Sequence, residues 1–180
     1  MRLFIAIELP MEIKDALAQI AKHISKDAAE FSLVKPENMH LTLKFLGEVS
    51  EEKVEGIKKA LGEISFAPFQ ATVAGVGAFP SLDRVNVVWV GLADGKEAVK
   101  LQHQIDDSLE KIGFAKEKEY TPHLTICRVK YVKEKEQLRE AIKKMQVKQM
   151  TFSIDSFVLM QSTLTREGAV YTMVQEYRHA

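Results

Sequence analysis

Two tetrapeptides 83 residues apart, His40-Leu41-Thr42-Leu43 and His123-Leu124-Thr125-Ile126, are the strongest constraint on how this 180-residue chain folds. The segments around them recur in the same order. Leu3 to Glu8 reads as a strand closed by Pro10, and Ile13, Leu17, Ile20 and Ile24 form one apolar helical stripe. Met39 to Leu46 reads as a second strand. Ser50, Glu51 and Glu52 open a helix whose stripe is Val54, Ile57, Leu61 and Ile64. Phe66 to Phe79 is extended, with a bend expected at Gly75 and Gly77. In the second half the same order returns. Val85 to Val90 and His123 to Val129 read as strands, while Leu101, Ile105, Leu109, Ile112 and then Leu138, Ala141, Ile142, Met145 mark helices. Two late strands are expected near 147–160 and 169–177, joined by a turn at Arg166-Glu167-Gly168. The repeat predicts one domain over 1–180 made of two similar halves, 1–82 and 83–180, related by a pseudo-two-fold axis.

Composition supports a folded core and narrows the partners. Hydrophobic residues make up 46% of the chain, and 25 Lys and Arg balance 25 Asp and Glu. That mixture is unlike a disordered segment, and its neutrality gives no global attraction for DNA or anionic membranes. A single Cys excludes an internal disulfide framework and a cysteine-built zinc site, and fits a reducing cytoplasm. The start, Met1-Arg2-Leu3-Phe4-Ile5-Ala6-Ile7, has too short an apolar run for a signal peptide or membrane span.

The tetrapeptides carry chemistry. Side chains at i and i+2 of a strand share a face, so each His projects with its Thr while the Leu or Ile residues face the core. With five His and eight Thr in the chain, about 0.2 His-x-Thr matches are expected by chance, so two at equivalent places of a repeat are not accidental. Imidazole titrates near neutrality and serves as base or acid. Two of them across a cleft can take a proton from a nucleophile and give one to a leaving group. The hydroxyls can donate to a charged oxygen between them. This set suits in-line displacement at a phosphodiester. Zinc would want a further His or carboxylate, a Ser-His-Asp triad would not use two equal units, and no phosphate-binding glycine loop for ATP is present. No metal and no cofactor is expected.

These motifs resemble the 2H phosphoesterase superfamily, and within it the RNA 2′,3′-cyclic phosphodiesterases, historically 2′-5′ RNA ligases. The likeness runs nearly end to end. It includes Arg2-Leu3-Phe4-Ile5-Ala6, the long stretch Pro36-Glu37-Asn38-Met39-His40-Leu41-Thr42-Leu43-Lys44-Phe45-Leu46-Gly47-Glu48, Val88-Trp89-Val90-Gly91, and Thr121 to Arg128. The resemblance implies an α+β fold of two pseudo-symmetric lobes, each an antiparallel sheet with two helices, flanking a central cleft. It implies His40 as proton donor, His123 as proton acceptor, and Thr42, Thr125 and Arg128 as phosphate-binding groups. It further implies hydrolysis of a terminal 2′,3′-cyclic phosphate on RNA, tRNA fragments among the candidates, to a 2′-phosphate. ATP-independent 2′-5′ ligation by the same groups, in a cytoplasmic monomer, comes with it.

Arg128 poses a geometric difficulty, since a regular strand would point it away from His123, so a bulge or strand end must intervene. Residues 111–135 hold seven basic and three acidic residues, a local excess beside the second motif. Tyr120 or Phe45 would stack a terminal base. His23 and His103 are placed in helices, and with the terminal His179 are expected to be inert, as is Cys127. Two other readings stay open: a phosphodiesterase for small cyclic-phosphate or 2′-5′-linked nucleotides, and an RNA-binding module with an idle cleft.

Overall fold

In the computed structural model, which describes residues 1–178, the chain alternates strands and helices in the order the repeat predicts, with additions. The first half comprises β1 (Arg2–Glu8), α1 (Met11–Ala21), β2 (Ala29–Leu33), β3 (His40–Glu48), α2 (Glu51–Gly62) and β4 (Phe69–Ser81). The second comprises β5 (Arg84–Leu92), α3 (Lys96–Glu110), β6 (His123–Val132), α4 (Lys135–Lys144), β7 (Met150–Ile154), β8 (Ser156–Thr165) and β9 (Gly168–Arg178). One strand and one histidine depart from expectation, and one strand, β2, lies outside it. The extended segment 147–160 is two strands broken at Asp155, and the short β2 carries too little alternation to announce itself. His23 lies in the turn just past α1, its Nδ1 3.2 Å from the Ile20 carbonyl. His103 does sit in α3, and His179 lies outside the described residues.

The strands form one antiparallel sheet in the order β7-β4-β5-β6-β3-β1-β8-β9, with β2 added on β6. Where the two half-sheets meet, the ladder between β3 and β6 among the described residues is the single pair Leu41–Leu124, both buried. The sequence halves and the spatial halves differ. β4, from the end of the first repeat, pairs with β5, while β8, from the end of the second, pairs with β1. Helices exchange too: α1 packs on β6 and α3 on β3. Because the exchange is reciprocal, the three strands β8-β1-β3 still correspond to β4-β5-β6 under the shift of 83. The resulting lobes each hold two helices, α3 behind β3 with α2 packed on α3 and β9, and α1 and α4 behind β6 and β4.

Ile154 and Ser156 are two residues apart in the chain, yet five strands separate β7 from β8 along the sheet. The sheet therefore curls, and among the described residues its concave side carries no helix. Leu3, Ile5, Ile7, Leu41, Leu43, Leu124 and Ile126 point to the convex side and join the main core under the helices. A second, small apolar cluster of Phe4, Ala6, Val158 and Met160, with Tyr171 against it, lies apart from that core. Phe4 and Ala6 alternate with Leu3, Ile5 and Ile7 along β1, so this cluster floors the concave side. No helix among the described residues is long and apolar enough to cross a membrane.

Candidate active site

Both motifs open onto the concave side where the half-sheets meet. A cleft of about 390 Å³ is lined by His40, Thr42, His123, Thr125 and Arg128 together with Phe45, Phe79 and Tyr171. The arrangement begins in the strand register. Ala6 pairs with Thr42 and Ile5 with Lys44, so Leu43 is an extra residue; Trp89 pairs with Thr125 and Val88 with Cys127, so Ile126 is extra. Leu43 and Ile126 are equivalent under the shift of 83. A bulge inverts the inside–outside alternation beyond it. Lys44 and Cys127 are thereby buried, and Phe45 and Arg128 are returned to the cleft side. This resolves the difficulty with Arg128. The bulge was invisible in the sequence because Leu43 and Ile126 are good strand residues.

Each imidazole is held by aromatic rings. His40 sits between Phe4 (centroids 4.9 Å apart) and Tyr171 (5.2 Å, edge-on). His123 meets Phe79 edge-on at 4.8 Å, with Trp89 at 6.3 Å. The Trp89 ring lies over Gly77, where any Cβ would penetrate it, which is why glycine is required there. Phe4, Tyr171, Phe79 and Trp89 were missed as site residues. They come from four strands, and the repeat does not flag them, since Phe4 corresponds to Val87 and Trp89 to Ala6.

The electrostatics differ between the two motifs. Burial, with added repulsion from Lys14 and Arg128, pushes the His40 imidazole down to about 4, against an opposing contribution from the Asn38 backbone. His123 is lowered by burial and by Arg128, opposed by a hydrogen bond from its Nδ1 to the Thr121 carbonyl at 2.8 Å. A carbonyl only accepts, so Nδ1 carries the hydrogen and Nε2 is the basic nitrogen. Arg128 makes no ion pair, and the Thr42 and Thr125 hydroxyls make no hydrogen bond, among the described residues. All three are free for a ligand.

Two supports tie the motifs together. The Tyr120 hydroxyl donates to the Thr42 carbonyl at 2.9 Å, and burial raises its own pKa beyond the ordinary phenol range. Tyr120 is thus a brace, partly buried against the core, whereas Phe45 is 66% exposed and open to a stacking base. Behind β3, Lys44 forms a buried ion pair with Asp106 of α3 and donates to the Ala115 carbonyl at 2.7 Å. Asp106 also accepts from Gln102 and from the Glu117 backbone. Cys127 is buried, and its thiol is pushed up to about 12 by burial, which makes it inert as a nucleophile. Among the described residues no three His, Cys, Asp or Glu side chains converge.

A curled sheet that presents two equivalent His-x-Thr units to one cleft defines the class of two-histidine phosphoesterases. The chain belongs to the family described as LigT-like phosphoesterases, which it matches twice, over 7–89 and over 90–171. It is 38% identical over 178 residues to the RNA 2′,3′-cyclic phosphodiesterase of Methanocaldococcus jannaschii, covering 98% of this chain and all of that one. The protein of the same name from Archaeoglobus fulgidus is 36% identical over 95% of this chain and 96% of its own. Among solved structures, Escherichia coli LigT complexed with 3′-AMP superposes with a TM-score of 0.77 at 28% identity, covering 99% of this chain and 97% of that one.

Proposed function

We propose that this protein hydrolyses the terminal 2′,3′-cyclic phosphodiester of RNA to a 2′-phosphate by two-histidine acid–base catalysis. The observation that carries the reading is the convergence of two imidazoles and two unengaged hydroxyls, from equivalent bulged strands, on one cleft. His123 Nε2 takes a proton from water as the water oxygen attacks phosphorus. The P–O3′ bond breaks on the opposite side, and His40 gives its proton to the departing 3′ oxygen. Thr42, Thr125 and Arg128 donate to the phosphoryl oxygens as charge builds on them.

His40 needs its proton at the start, although in the free site burial and two cations hold it neutral near pH 7. An anionic diester seated beside it reverses that balance, so proton uptake accompanies substrate binding. A 5′-hydroxyl in place of water would join two RNA ends through a 2′-5′ linkage without ATP. All groups invoked come from one chain, so a monomer suffices. Cleaved RNAs of the cytoplasm, tRNA fragments included, are the substrates this reading favours.

The test is incubation with a short RNA ending in a 2′,3′-cyclic phosphate, with the 2′- and 3′-phosphate products resolved. Formation of the 2′-phosphate is expected. No turnover, beside rapid cleavage of a small cyclic nucleotide, would move the substrate class away from RNA.

A further inference from the structure

Two more depressions adjoin the catalytic cleft, both sharing Phe45 with it, and their charges are opposite. One, of about 290 Å³, runs past Phe79 and Tyr120 to Glu117 and Glu119, and its single cation, Lys44, is already paired with Asp106 and Glu117, which leaves the depression net acidic. The other, of about 450 Å³, runs across the concave face of β3, β1 and β8 from Arg128, past Tyr171, to Arg2, Ser162 and Leu164. Its two charged side chains are both arginines. Arg2 stands on the same side of β1 as Phe4, and is exposed. It makes no ion pair among the described residues, and its cross-strand partner Glu48 does not engage it.

We infer that the Arg2 depression is the path of the RNA strand leading up to the cyclic end, with Arg2 holding a phosphate upstream of the one that reacts. The inference rests on the hydrolase reading and adds a direction to it. An RNA with a 3′-terminal cyclic phosphate leaves the site only toward its 5′ side, and each nucleotide passed carries one negative charge. The acidic depression repels that chain, while the arginine-lined one attracts it. Phe45, at the junction, offers a ring face to the terminal base, and the apolar floor under Arg2 suits ribose edges and base faces. The depression at Glu117 and Glu119, which reaches His123, is left for the uncharged water that attacks phosphorus.

The experiment compares a mononucleoside 2′,3′-cyclic phosphate with a trinucleotide ending in the same group, using wild type, Arg2→Gln, Arg2→Lys and Lys58→Gln. Lys58 removes an equal charge from α2, on the convex side. Wild type is expected to prefer the trinucleotide in kcat/KM. Arg2→Gln should cut that preference about fivefold through KM and reduce the salt slope of log KM by about 0.7, the loss of one single-strand phosphate contact. Arg2→Lys should restore most of the preference, and Lys58→Gln should keep all of it. Equal losses on both substrates, or a preference untouched by Arg2→Gln, would overturn the inference while leaving the hydrolase reading intact. Should wild type turn over neither substrate, the hydrolase reading fails. Binding of a trinucleotide 2′-phosphate then decides the strand path alone: weaker binding to Arg2→Gln than to wild type supports it, and equal binding sinks it.

Discussion

The two lobes use one backbone and different side chains. In both, a strand enters with His-x-Thr, bulges at the next residue and turns the second residue past the bulge back into the cleft. What stands there is Phe45 in one lobe and Arg128 in the other; just before them, in the core, stand Lys44 and Cys127. His40 is sunk between Phe4 and Tyr171, whereas His123 meets Phe79 and hydrogen-bonds to Thr121. A duplicated frame thus supplies the paired set a symmetric phosphoryl group needs. In the proposed reading, the positions after the bulges would serve an asymmetric RNA end, with a ring face on one side and a cation on the other.

Removing either imidazole tests the equivalence most severely. His40→Ala and His123→Ala should each lower kcat by about 10²–10⁴-fold, the usual weight of a proton-transfer partner. The double variant should lose far less than the product of the two, since the pair acts as a unit. A substrate with a good leaving group in place of the 3′ oxygen separates their roles. It should rescue His40→Ala far more than His123→Ala, and equal rescue would mean that the acid and base assignment is wrong.

The core side of the bulge gives the next largest contrast. Lys44→Met strands the Asp106 carboxylate without its cation, which costs about 3–5 kcal/mol for a buried pair broken on one side. Cys127→Ala at the equivalent position only trims a packed sulfur and should cost about 1 kcal/mol. Urea denaturation of the two variants reads this difference, and similar midpoints would show that the Lys44 pair is no anchor. Because Lys44 also holds the segment that leads to His123, part of the Lys44→Met deficit should appear in kcat for protein still folded.

Thr42→Val, Thr125→Val and Arg128→Gln each delete donors to the phosphate. Each should lower kcat/KM by roughly 1–3 kcal/mol of transition-state binding, as for hydrogen bonds to a charged group. Phe45→Arg, which makes the lobes alike at that position, should gain nothing for a mononucleotide and weaken base stacking. All of this should proceed without added metal, since the two imidazoles, two hydroxyls and guanidinium supply base, acid and donors. Activity lost on EDTA treatment and regained with a divalent ion would defeat the scheme.

How far these features could be read in advance follows from what each depends on. The tetrapeptides, their period and the helical stripes are local patterns, and they located His40, Thr42, His123 and Thr125 on one side of a cleft. The reciprocal exchange of β4 with β8 and of α1 with α3 leaves the local pattern unchanged, so no periodicity reports it. The bulges likewise arise from pairing between strands, so Arg128 could be proposed only through resemblance. The bracing role of Tyr120 was equally hidden, because nothing adjacent to it in the chain marks the Thr42 carbonyl as the partner of its hydroxyl.

The smallest expected effect is a pH dependence that separates His40 from the rest of the molecule. Its imidazole titrates near 6.5 when exposed and at about 4 in the fold, so folding is opposed wherever the unfolded chain holds a proton that the fold sheds. The contribution is fully present above pH 6.5 and falls away as the pH drops toward 4. From pH 7 to 5.5 the loss is about 1 kcal/mol by linkage. His40→Gln cannot titrate, so its urea midpoint should fall less than that of wild type across this interval, with the carboxylate contributions common to both. Catalysis should show the matching sign. The kcat/KM profile, which reports the free enzyme, should be a bell centred on the acid side of 6.5, because both imidazoles are lowered. The kcat profile should lie at higher pH, because the bound diester raises the His40 imidazole. Parallel stability slopes for wild type and His40→Gln, with coincident kcat and kcat/KM profiles, would show that His40 is not the more deeply desolvated of the pair.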